Sequence, residues 1–166
     1  MNKQTFARVL AVLCLAALLT AGLAQAQGEP YLELLRSDVQ ADKIAIMTEG
    51  MMLTPEQGDA FWPMYRDFQL ELSKLGDRRI AGIKLYAENY GTMTDDVAKS
   101  ISKEWFSLQE DRMKLLKDTH GKIAKSLGEG VAARFVQLEY AVQMLIDVQI
   151  TAEMPIFPDS MPAEKK

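Results

Sequence analysis

Cysteine and histidine each occur once in the 166 residues, as Cys14 and His120. One thiol excludes an intramolecular disulfide, a C-x-x-C redox pair and a cysteine-built zinc site. One imidazole leaves almost nothing to activate a nucleophile, which needs a base within reach. The chain also lacks the phosphate-cradling GxxxxGK[ST] loop, the G-x-S-x-G elbow and the H-E-x-x-H zinc helix. No Glu-x-x-His pair of the kind that builds a di-iron bundle is present either. These absences set the expectation of no enzymatic activity, no catalytic residue and no cofactor.

Long apolar runs are equally scarce. The longest, Val9–Leu19, is 11 residues, against the roughly 20 that a membrane-spanning helix needs. Lys3 and Arg8 precede it, and Ala24-Gln25-Ala26 follows. A basic start, a short apolar middle and an A-x-A end form the pattern of a secretory signal. Residues 1–26 are therefore expected to be cleaved after Ala26, which would place the mature chain outside the cytoplasm with no stable membrane insertion. Cys14 leaves with the signal. Residues 27–166 then carry 17 basic and 23 acidic residues, a net charge of −6, which argues against nucleic acid as a partner.

What the remaining 140 residues do contain is helical period. Thr54-Pro55-Glu56-Gln57 reads as a helix start, with Thr54 as N-cap, proline at the first position and Gln57 completing a capping box. The helix is expected over 55–90, closed by a left-handed glycine at Gly91. At 100° per residue, Phe61, Tyr65, Phe68, Leu72, Leu75, Ile83, Tyr86 and Tyr90 fall within about 40° of one line. A third helix starts after Thr94, with Asp95 and Asp96 favourable to its dipole, and stops near Gly128. Its stripe is Val97, Ile101, Trp105, Leu108, Leu115 and Ile123. A fourth covers 130–153, with Val131, Phe135, Val142 and Ile146, and ends at Pro155. A shorter first helix spans 38–51, preceded by a turn over Tyr31–Arg36. Short loops force antiparallel neighbours. The expected fold is all-α: an elongated antiparallel helical hairpin with shorter flanking helices, four main helices in one domain over 27–154, and a tail over 155–166.

Several residues depart from local rules. Pro63 inside the second helix predicts a kink near residues 59–63. Arg79 and Arg112 fall near the centres of their stripes; either they pair with carboxylates on a facing helix, or they line a groove or subunit interface. Trp62 and Ile80 lie about 100° from the second helix's stripe, with Leu70 and Leu85 farther round, so they pack on another helix or form a protein-binding surface. Met47 and Met51 stand four apart on one face; their sulfur suits Cu(I), though methionine at helical spacing also fills cores. No specific metal site is expected from them or from His120, which sits beside its stripe as a half-exposed residue.

Leu53-Thr54-Pro55-Glu56-Gln57, opening a long helix after a signal and a short first helix, resembles the LTxxQ motif of the Spy/CpxP-like periplasmic family. The chain is most similar to its exported members with an FWPxY stretch, here Phe61-Trp62-Pro63-Met64-Tyr65. That family carries a second motif at the start of its last helix. Here Leu127 corresponds to Leu53 and Phe135 to Phe61, while Gly128-Glu129-Gly130-Val131 lacks the Thr, Pro and Gln. The resemblance implies delivery to the periplasm and an all-helical hairpin, often an antiparallel homodimer forming a cradle, that acts as an ATP-independent chaperone or envelope-stress modulator. Its partners would be protein clients. Metal-responsive relatives use several histidines, which this chain lacks. The alternative function is a dedicated structural or regulatory partner-binder of the cell envelope.

Overall fold

A short helix, α1, over residues 42–51 leads into three long ones in the computed structural model, which describes residues 42–158. The signal segment, the turn expected over Tyr31–Arg36, residues 38–41 of the expected first helix and residues 159–166 of the tail lie outside the described residues. The long helices are α2 (Pro55–Asn89), α3 (Asp95–Leu127) and α4 (Glu129–Glu153). No strand occurs among the described residues, and the fold is all-α. No helix of the described residues is long and apolar enough to cross a membrane.

The start of α2 follows from its sequence. Thr54 Oγ1 accepts a hydrogen bond from the Gln57 amide at 3.3 Å, and Gln57 Oε1 accepts one from the Thr54 amide at 3.1 Å. Two amides that would otherwise lack partners are thereby satisfied reciprocally. The helix continues through Pro63 without a break. Its end differs from expectation. Tyr90 keeps right-handed angles (φ −54°, ψ −45°), and Tyr90–Thr92 forms a 3₁₀ turn. Gly128 is the one glycine with positive φ among the described residues, so Gly91 is no left-handed cap. Tightening the last turn, with Asn89 Nδ2 donating to the Leu85 carbonyl at 2.8 Å, satisfies end carbonyls without a left-handed residue.

Thr94 caps α3 by accepting from the Val97 amide at 3.3 Å. A single residue, Gly128, separates α3 from α4. Its angles, φ 91° and ψ 160°, belong to a region essentially reserved for glycine. The Gly128 amide still donates to the Ala124 carbonyl, and its own carbonyl accepts from Ala132. The chain thus reverses with its backbone groups paired.

The core lies at this end of the hairpin. Met47, Met51, Phe61, Tyr65, Phe68, Ile123, Ala132 and Phe135 form one buried cluster. Phe135 of α4 meets the rings of Phe61 and Phe68 edge-on, with centroids 6.3 and 5.2 Å away. Burying a side chain of this size contributes roughly 1.5–3 kcal/mol. Gly50 of α1 presses against α4: a Cβ there would stand 2.8 Å from Leu138 Cδ1. Arg134 donates to the Met51 carbonyl at 2.6 Å and so caps the end of α1. The chain then leaves through Met52 in a left-handed conformation (φ 46°).

At the opposite end of α2, Tyr86 is buried and its hydroxyl donates to the Pro155 carbonyl at 2.7 Å. Its ring lies 4.9 Å from that of Phe157, and Tyr90 donates to the Ile156 carbonyl at 3.2 Å. Residues 155–157 are therefore held against α2.

One member of the α3 stripe faces solvent. Trp105 is 57% exposed, edge-on to an equally exposed Phe106. Arg78 of α2 binds Glu104, Ser107 and Asp111 of α3, which lie about 100–160° round the helix from Trp105. This ionic contact turns Trp105 away from α2.

Candidate functional site

A groove of about 600 Å³ lies between α3 and α4, floored by Phe68 and Leu72 of α2. Gln109, Met113 and Leu116 form one wall, and Tyr140, Gln143, Met144, Val148 and Thr151 the other. Four apolar side chains on these walls face solvent: Met113 (45% exposed), Tyr140 (56%), Met144 (51%) and Val148 (62%). Tyr140, Met144 and Val148 recur at i, i+4 and i+8 on α4, a second apolar line about 180° round the helix from the core stripe of Phe135, Val142 and Ile146. A helix apolar on more than one face needs cover on more than one face, and α4 is covered on one.

Charged groups in the groove are paired. Asp147 of α4 receives Arg79 at 2.5 Å and Arg112 at 3.2 Å, and Gln143 Nε2 donates to it at 3.1 Å. Burial alone would push the Asp147 carboxyl up, but the hydrogen bonds from Gln143, Arg79 and Arg112 together outweigh it and hold it below the ordinary carboxylate range. The stripe-centred arginines thus pair with one carboxylate of a facing helix. Arg112 and Asp147 also line the groove, whereas Arg79 reaches Asp147 from α2.

Glu139, at the base of the groove, forms an ion pair with Lys43 of α1. Lys43 also sits over the Phe68 ring, 5.7 Å from its centroid. Burial pushes the Glu139 carboxyl up and the Lys43 ammonium down, and their mutual attraction offsets part of each shift.

The remaining sequence candidates lie elsewhere. Thr54, Pro55 and Glu56 are exposed, Gln57 is half-buried, and Leu53 packs against the core cluster. LTPEQ therefore builds the start of α2. The Glu56 carboxylate, hydrogen-bonded to its own backbone amide and to Thr54, sits below the ordinary range. Trp62 packs edge-on to Phe61 and Tyr65 at 5.2 and 5.8 Å, at the margin of the core. Ile80 is half-buried, while Leu70 is 61% exposed. None of these three lines the groove. Met47 and Met51 are wholly buried core residues. His120 is half-exposed, with Nε2 3.4 Å from Glu129. Among the described residues no three His, Cys, Asp or Glu side chains are grouped to hold a metal ion.

The chain matches no family model, no curated protein and no solved structure. Of the groove residues Arg112 was singled out by the sequence, whereas the exposed apolar ones, Met113, Tyr140, Met144 and Val148, escaped it because one stripe per helix accounts for a core. The visible signal was the second line of Tyr140, Met144 and Val148 at spacing four on α4.

Proposed function

We propose that this is an exported, ATP-independent protein-binding protein of chaperone-like character, which holds apolar segments of other proteins in the groove between α3 and α4. The observation that carries the reading is the exposure of Met113, Tyr140, Met144 and Val148 within one concave surface. Flexible thioethers and an aromatic ring suit a surface that must accept varied apolar partners. The resemblance of LTPEQ to the Spy/CpxP-like motif, and the signal-like residues 1–26 with delivery to the periplasm, support the same reading. So does the paired state of the groove's charges, which leaves apolar contact as its main means of attraction. The same surface would serve a homodimer.

The test is suppression of aggregation of unrelated unfolded proteins by residues 27–166, without nucleotide or metal. Val148→Asp with Met144→Asp should abolish suppression while leaving helicity near normal. Suppression by the unmodified chain that survives this double change would remove the groove from the function. Failure to suppress aggregation, together with capture of one envelope protein, would establish the dedicated partner-binder in its place.

A further inference from the structure

Among the described methionines, Met64 and Met154 are half-buried and the other six lie at the two extremes. Met47, Met51 and Met93 are 0% exposed, whereas Met52, Met113 and Met144 are 70%, 45% and 51% exposed. Two of the exposed three stand in the groove, Met113 on the α3 wall and Met144 on the α4 wall. Residues 27–166 contain no cysteine, so thioether sulfur is the soft oxidisable group this part of the chain presents. We infer that Met113 and Met144 are a paired oxidation site through which a two-electron oxidant such as hypochlorous acid closes the groove to apolar ligands.

The chemistry is simple and reversible. The sulfur of Met113 or Met144 takes the oxygen of hypochlorous acid and gives up two electrons. An S=O bond forms, the O–Cl bond breaks, and chloride and a proton leave. The product is a polar, chiral sulfoxide where a flexible apolar group stood. An apolar ligand pressed against it must bury that oxygen without a donor, which is unfavourable. The cation on the groove wall, Arg112, is already engaged by Asp147, and Gln143 donates to the same carboxylate. The core methionines are shielded by full burial, so oxidation at the groove leaves the fold intact. This inference rests on the groove's proposed role as an apolar binding surface, and its test separates the two.

Residues 27–166 are treated with hypochlorous acid and mapped by peptide mass spectrometry, with binding of an environment-sensitive apolar dye and suppression of client aggregation measured in parallel. Sulfoxide is expected at Met113 and Met144, and at Met52, before it appears at Met47, Met51 or Met93. Dye affinity should fall about tenfold, equivalent to ~1.4 kcal/mol, and return after treatment with the two methionine sulfoxide reductases. Met113→Leu/Met144→Leu should keep its own dye affinity unchanged through oxidant treatment, whereas Met52→Leu should lose affinity on treatment as the unsubstituted chain does. Undiminished dye binding by the oxidised chain would overturn the inference. So would equal loss in Met113→Leu/Met144→Leu, or an untreated chain that takes up no dye. Dye binding that behaves as expected beside a client assay showing no suppression would uphold the oxidation site and reject the chaperone reading alone.

Discussion

Lys43 and Glu139, 96 residues apart in sequence, form an ion pair whose side chains are 5% and 4% exposed. It joins α1 to α4 beneath the groove, and the second carboxylate oxygen, Oε2, is buried without a hydrogen-bond partner among the described residues. Such a pair is costly to desolvate and costlier to halve. Lys43→Met alone should therefore destabilise the chain by about 3–5 kcal/mol, because it strands a buried carboxylate. The double change Lys43→Met/Glu139→Leu should recover most of that loss. Urea unfolding of the two single variants and the double closes the cycle; additive effects would show that the charges do not depend on one another.

Asp147 provides the pH-dependent contact. Its pKa is depressed below the ordinary value of 3.8 by its Gln143, Arg79 and Arg112 partners. A depressed carboxylate contributes stability that is present above the unfolded value and lost as pH falls through the folded one. The wild-type chain should thus lose stability below about pH 4 more steeply than Asp147→Asn, which has no proton to take up there. Thermal melts from pH 2 to pH 7 check this; parallel curves would deny Asp147 any linkage.

The capping box predicts a modest, local effect. Thr54→Ala should cost about 1 kcal/mol, and Gln57→Ala less, since it removes only the bond back to the Thr54 amide. Neither change touches the groove, so dye or client binding should be unaltered when measured well below the melting temperature. A loss of binding with unchanged stability would make LTPEQ a contact surface.

Gly128 and Gly130 offer a contrast two residues apart. A Cβ at either position meets no atom within 4 Å, so packing is silent at both and the backbone alone decides. Gly128→Ala should destabilise by about 1–3 kcal/mol, because φ 91° with ψ 160° is closed to other residues. Gly130→Ala, inside the first turn of α4, should stabilise by roughly 0.5–1 kcal/mol. Denaturation midpoints of the two variants should shift in opposite directions.

Much of the architecture could be read from local chemistry. Thr54 and Thr94, each followed by carboxylates or proline, mark helix starts that depend only on nearby backbone amides. The stripes through Phe61, Tyr65, Phe68 and Phe135 identified the centre of the core, because helical spacing alone puts those residues on one line. Trp105 shows where this reasoning stops: whether a stripe residue is covered depends on how Arg78 turns α3, a contact between distant residues. Arg79 and Arg112 were visible as anomalies, but Asp147 could be selected from the surplus of carboxylates only by folding. The groove was hidden for a related reason. It is defined by what two helices leave uncovered between them, and neither helix encodes that separately.

The two ends of α4 are fastened differently from its middle. Gly128 ties one end to α3 through a single residue, and the Tyr86 and Tyr90 hydroxyls hold the carbonyls of Pro155 and Ile156 just beyond the other. A beam anchored at both ends resists swinging outward and yields chiefly by bowing or by rearranging what hangs from it. The groove therefore has little freedom to gape like a jaw. In the proposed binding role, fitting occupants of different size would fall to the rotamers of Met113, Tyr140 and Met144, which move in picoseconds to nanoseconds when exposed. Capture should then be limited by encounter rather than by opening of the bundle.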